Sequence, residues 1–301
     1  VFDAPTNTHG AFERYEAVRA RLPQAEFPAT SQHLAHLGEV ADDVDGFVLD
    51  AFGVLNVGKT AIPGAVDRLA GLRARGKKLC VLSNAASFTR TEALAKYQRL
   101  GFDFTADEVI TSRDVAVARM NAVAPGAVWA ALADITDDFH DLPATVLDAA
   151  NDPDALDHAD AIFFLASQRV TPKLYARLLD AMERNPRPMI VANPDLTAPF
   201  EDSLSREPGL FAHDLIDRLG SQLHWYGKPF ADGYDDVLAR MELPAERLAM
   251  VGDTLHTDVL GGRAAGMKTV LVSDHGLFRG HDVMPFITKS GIVPDYIVPT
   301  T

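Results

Sequence analysis

Asp50 closes the apolar run Gly46-Phe47-Val48-Leu49 and is followed by Ala51-Phe52-Gly53-Val54-Leu55. A carboxylate at the end of a buried strand, beside a glycine turn, has the chemistry of a nucleophile, a metal ligand, or both. Two places on stands Phe52, where a second acid would be wanted for proton transfer. Three other segments offer complementary groups: Ser83-Asn84, Gly227-Lys228-Pro229, and Gly252-Asp253-Thr254-Leu255-His256-Thr257-Asp258. Singly, each has a plain structural reading. Asp favours helix caps and turns, Ser-Asn after a strand is turn chemistry, and a lone Lys is usually solvated. Asp253 and Asp258, beside a strand end, suit a hard cation that takes oxygen ligands. His256 between them, and His275 before Gly276, are expected to face solvent, because such an ion does not need imidazole.

Strand-like and helix-like segments alternate along the chain, which predicts an α/β protein with a mainly parallel sheet. Pro63 and Gly64 open a helix with Val66, Leu69 and Ala70 on one face, and Lys78-Leu79-Cys80-Val81-Leu82-Ser83 reads as a buried strand. Leu248-Ala249-Met250-Val251-Gly252-Asp253 repeats the form of an apolar run, a glycine and an acid. Thr269-Val270-Leu271-Val272-Ser273-Asp274 and Tyr296-Ile297-Val298 read as further strands. Ligands of open α/β sheets bind at the carboxyl ends of strands, so Asp50, Ser83-Asn84 and Asp253 can converge there. Residues 115–221 read as an inserted α/β unit, entered at Pro125-Gly126, with apolar runs at 128–132, 162–165 and 189–192. Thr171 caps a helix in it whose first residue is Pro172, with Leu174, Leu178 and Met182 on one stripe. Residues 1–114 and 222–301 form the core domain, and 1–40 are an extension with an amphipathic helix around Phe12–Leu22 and a packing role.

The 301 residues carry 28 Lys and Arg against 42 Asp and Glu, a net charge of −14. That argues against electrostatic binding to nucleic acid or an anionic membrane, but not against a small anion held by a local cation and a metal. Cys80, the single cysteine, excludes an internal disulfide and reads as a buried core thiol. No run approaches the ~20 apolar residues of a membrane span, and Val1-Phe2-Asp3-Ala4-Pro5 has no signal-peptide pattern. A cytoplasmic protein is the resulting expectation.

In this order the four segments resemble those of the haloacid dehalogenase (HAD) superfamily. The resemblance implies a Rossmann-like core with a parallel sheet plus an inserted cap. Asp50 and Ser83 lie 33 residues apart, whereas 145 separate Ser83 from Lys228, so the cap falls between the second and third motifs. That placement is similar to the class IIA, NagD-like or nitrophenylphosphatase-like branch, as are Gly227-Lys228-Pro229-Phe230 with Tyr234, Thr111-Ser112, and Asn193-Pro194-Asp195. The resemblance implies that Asp50 attacks phosphorus, Ser83 and the backbone of Asn84 hold the phosphoryl group, and Lys228 orients both. It implies Mg2+ on Asp50, the Phe52 carbonyl and Asp253, with Asp258 acting through water or on the site's geometry. Asn193, Asp195, Pro199 and Phe200 are candidates for substrate contact, with an ordinary cap turn as the alternative.

Phe52 departs from the family's usual acid, whose loss costs about 10²–10⁴-fold in rate. An aromatic at that position also resembles the dehalogenase motif, which raises attack on carbon with halide release. The cap position and the retained Asp253 and Asp258 oppose that rival. The expectation is therefore a magnesium-dependent hydrolase of small phosphomonoesters, of sugar phosphate or nucleotide monophosphate type. A carbon-directed hydrolase and a weakly catalytic phospholigand-binding protein remain the alternatives. The partner is a small phosphorylated metabolite, and a homo-oligomer stays open.

Overall fold

The computed structural model describes residues 4–200 and 203–301, with the backbone alone at 199, 200 and 203. Seven strands form one sheet in the order Gln32–His33, Tyr296–Val298, Lys268–Val272, Leu248–Gly252, Gly46–Leu49, Lys78–Ser83 and Val109–Thr111. Every pairing in it is parallel. A strand covered on both faces needs apolar residues at every position, which is why these strands read as continuous runs. Phe47 and Leu49 enter the core on one face with Leu79, Val81, Ala249 and Val251. Val48 enters the other with Cys80, Leu82, Leu248 and Met250. Helices Ala65–Ala74 and Arg90–Arg99 supply Leu69, Leu72 and Tyr97 to the first face, and Ala231–Met241 supplies Tyr234 and Val237 to the second. Burial pushes the Cys80 thiol up to about 12, consistent with a core thiol.

Register brings the site together. Leu49 pairs with Val81 on one side and Val251 on the other, so Asp50 emerges between the two neighbouring strand ends. The Asp50 amide still donates to the Val251 carbonyl at 2.9 Å, fixing its exit direction.

A second sheet has the order His224–Trp225, Met189–Val191, Ala161–Phe164, Trp129–Leu132 and Val146–Asp148, again with parallel pairs. His224–Trp225 lies past residue 221, so this sheet continues beyond the boundary drawn from composition. Its pairing partner, Met189–Val191, is distant in sequence, and the edge strand is too short to carry a periodic signal. Helix Pro172–Arg184 starts as expected, with Thr171 accepting from the Leu174 amide. Buried Arg113, bonded to Asp137 and Asp141, ties the short helix Ser112–Val117 to a loop of the inserted unit.

The N-terminal helix spans Thr8–Ala17 and gives way to a short 3-10 turn at Arg19–Arg21. It begins earlier than Phe12 because Asn7 accepts from the Gly10 amide, and Pro23 disfavours helix at the residue before it. Ala11, Phe12 and Tyr15 pack at once on Leu196 and Leu210 of the inserted unit and on Leu255, Phe278 and Phe286 of the main one. The extension thus spans the junction between the two sheets. Among the described residues, no helix is long and apolar enough to cross a membrane.

Candidate active site

At the carboxyl ends of the central strands, Lys228 is buried with its ammonium 2.5 Å from Asp50 Oδ1 and 2.7 Å from Asp258 Oδ1. Asp258 Oδ2 accepts from the Thr254 amide at 3.0 Å, so both of its oxygens are engaged. A π-helical turn at Leu255–Val259 carries it inward. Asp253 accepts from the Leu277 amide at 2.7 Å and from the Thr254 hydroxyl at 3.0 Å. Gly53 has φ +76°, and a Cβ there would lie 2.7 Å from the Asp253 side chain, so only glycine lets the Asp50 turn approach that acid.

Burial would pull the Lys228 ammonium down, but Asp258 and Asp50 outweigh it and hold it well above the usual lysine range. Burial, followed by the charges of Asp50 and Asp258, lifts Asp253 far above the usual carboxylate range. Asp258 is lifted to about 6 by burial and Asp50, against the pull of Lys228. Asp50, Asp253 and Asp258 present oxygens within 4.8 Å of one another. With all three ionised beside one ammonium, the cluster carries an excess of two negative charges. A divalent cation with oxygen preference fits that excess and that donor set. Asp50, Phe52 and Asp253 line one pocket, which Asp258 does not border.

Asn84 connects this core to the inserted unit. Its Nδ2 donates to Asp195 Oδ1 at 2.8 Å and to the Lys228 carbonyl at 2.9 Å, while its Oδ1 accepts from the Lys228 amide at 2.7 Å. Gly227, at φ +121°, makes this approach feasible: a Cβ would lie 2.7 Å from both Asn84 Oδ1 and Pro194 Cδ. Asp195 lines the same pocket as Asp50, Phe52 and Lys228. Burial, with the charges of Asp50 and Asp258, raises its carboxyl to about 8 despite Lys228 and Asn84. Asn193 is turned elsewhere: its Nδ2 donates to Glu207 at 3.0 Å, and its Oδ1 accepts from the Asp195 amide at 3.0 Å. It therefore shapes the turn instead of lining the pocket. The Pro199 and Phe200 side chains lie outside the described residues.

Sequence reading passed over several neighbours. Tyr15, from the extension assigned only a packing role, lines the Asp50 pocket together with Thr254 and Thr257. Its hydroxyl accepts from the Leu196 amide at 3.1 Å. Nothing local marks it, because its partner lies 181 residues away. His256 does not face solvent: it is 1% exposed, stacks on Tyr15 with 5.0 Å between ring centres, and has Nε2 2.5 Å from Glu16 Oε1. The inward turn that places Asp258 takes the imidazole with it, and the extension supplies its partners. His275 is half-buried, with Nε2 3.3 Å from the Thr300 hydroxyl. Tyr97 is buried and shares a cavity wall with Ser83. Its spacing of four from Ala93, on the inner face of its helix, was the available signal.

Residues 47–138 match a family described as haloacid dehalogenase-like hydrolase, and residues 225–300 one described as HAD-hydrolase-like. The chain is 30% identical to a glycerol-3-phosphate phosphatase of Gallus gallus over 281 residues, covering 86% of this chain and 90% of that protein. It is 30% identical to chronophin of Homo sapiens over 286 residues, covering 88% and 93%. A possible sugar phosphatase of the HAD superfamily from Cytophaga hutchinsonii superimposes with a TM-score of 0.75 at 26% identity, over 90% of this chain and 98% of that one.

Proposed function

The chain belongs to the haloacid dehalogenase-like hydrolases, in the class IIA branch, and from that premise we propose that it is a phosphatase of small phosphomonoesters working through Asp50 with magnesium. The observation that carries this reading is the cluster of half-buried Asp50 with buried Asp253 and Asp258 around the ammonium of Lys228. Asp50 attacks phosphorus, the ester P–O bond breaks, and an aspartyl phosphate forms as the alcohol oxygen leaves. Water then attacks phosphorus, which releases inorganic phosphate and restores the carboxylate. Lys228, the Ser83 hydroxyl and the Asn84 backbone hold the transferring phosphoryl group, and Asp258 fixes the ammonium between itself and Asp50. Asp50, Asp253 and the Phe52 carbonyl would hold magnesium, which when bound would supply electrostatic stabilisation of the phosphoryl oxygens. Phe52 brings no proton for the leaving oxygen, so esters with acidic alcohols or phenols are favoured over sugar or nucleotide esters. Phosphate release from an aryl phosphate tests the reading. It should require magnesium, cease on chelation, and be abolished by Asp50→Asn with the fold retained; activity surviving either change overturns the mechanism.

A further inference from the structure

The pocket around Asp50 has a volume of about 40 Å³, far below the ~300–1,000 Å³ of small-molecule sites. Lifting the inserted unit to enlarge it would break several ties. Tyr15 holds the Leu196 amide, Arg14 pairs with Asp217 at 2.8 Å, and Asn84 holds Asp195. A second cavity of about 820 Å³ opens beside the site with Ser83 in its wall, a size typical of small-molecule sites. It lies between the hairpin Asn56–Val57 and Thr60–Ala61, which brings Lys59, and helix Arg90–Arg99, which brings Lys96 and Tyr97. Phe88, 47% exposed, adds an apolar wall.

The charge in this cavity runs against that of the chain, whose net charge is −14. Lys59, Lys96 and Arg99 all line it. Glu92, the acid in the wall, is already bound by the Thr89 amide and hydroxyl. Lys96 is half-buried, feels the Asp50 charge, and lies over the Tyr97 ring at 5.7 Å. Among the described residues no carboxylate forms an ion pair with it, and a half-buried ammonium is costly unless an anion arrives to meet it.

Resting on the phosphatase reading, we propose that this cavity receives the leaving group and that Lys96, with Lys59 at its mouth, binds a second anionic group on it. The preferred substrates are then phosphomonoesters whose alcohol or phenol also carries a carboxylate or a second phosphate. Phenyl phosphate and 4-carboxyphenyl phosphate differ only in that carboxylate. With magnesium, kcat/KM should favour the carboxylated ester by about tenfold, the effect of one partly desolvated charge-assisted contact. Lys96→Met should bring the ratio of the two close to one. Propyl phosphate against 1,3-propanediol bisphosphate tells whether phosphate serves in place of carboxylate. Calorimetric binding of the phenyl pair to Asp50→Asn with magnesium reads the same preference without turnover. Equal kcat/KM for the phenyl pair, or a preference that survives Lys96→Met, overturns the proposal. If neither phenyl ester releases phosphate, the phosphatase reading fails instead, and the binding ratio still decides the cavity's role.

Discussion

Lys228→Met removes the one ammonium from the acid cluster with little change in side-chain volume. The contacts to Asp50 and Asp258, at 2.5 and 2.7 Å, are each worth about 6 kcal/mol at an effective dielectric near 20. Most of that offsets the cost of burying the charges. Breaking a buried pair from one side leaves a net loss of about 3–5 kcal/mol, a fall on the order of 10 °C in melting temperature. The size of the loss depends on pH. A carboxyl with a folded pKa above the ~3.9 of the unfolded chain binds more protons folded than unfolded. Its favourable contribution is therefore full below that value and lost as pH rises through the folded pKa. Asp258, already lifted to about 6 against the pull of Lys228, rises further once the ammonium is gone, and Asp253 already stands well above the usual carboxylate range. At pH 5 both are buried as neutral acids and the variant is spared; at pH 8 they must ionise unpaired. Melting curves of wild type and variant in chelator, at both pH values, should give a gap at pH 8 at least twice that at pH 5. Added magnesium should narrow it at pH 8. Equal gaps at the two pH values would refute the electrostatic account and leave packing as the cause. Turnover should fall about 10²–10³-fold, the usual effect of removing one preorganised donor to a transferring group.

Phe52→Asp restores an acid beside the nucleophile and should raise alkyl phosphate turnover by about 10²–10⁴-fold with little change for nitrophenyl phosphate. An equal effect on both, in parallel steady-state assays, would count against a missing proton donor. Tyr15→Phe leaves the Leu196 amide without its acceptor. It should cost about 1–3 kcal/mol and speed hydrogen exchange at Leu196; unchanged exchange would mean that the extension does not hold the inserted unit in place. Asp195, raised to about 8 by burial, contributes stability that is full below pH ~4 and lost as pH rises through 8. Asp195→Asn should therefore flatten the fall in melting temperature between pH 6 and 9, and an unaltered slope would show that another group is responsible.

Much of the molecule was legible in its amino acids. Buried parallel strands must be apolar at every position, and their glycine and acid ends break that pattern sharply, so Asp50, Ser83 and Asp253 could be read as strand ends meeting at one edge. The strands of the second sheet, from Trp129 to Trp225, all fall within the 145 residues that separate Ser83 from Lys228. What the sequence could not decide were contacts between residues with no shared local pattern. Tyr15 reaches the pocket only because its helix packs on both sheets at once, and His256 is buried only because that helix arrives with Glu16. Asn193 could be read either as a substrate contact or as an ordinary turn residue, and its partner Glu207 stands 14 residues on. The strand His224–Trp225 owes its place to a partner far back in the chain. The cavity with Lys96 in its wall exists only between two elements that are unrelated in sequence. Periodicity reports which way a residue faces along its own element. Which element stands opposite, and whether a charge there finds a partner, is settled only when the chain has closed on itself.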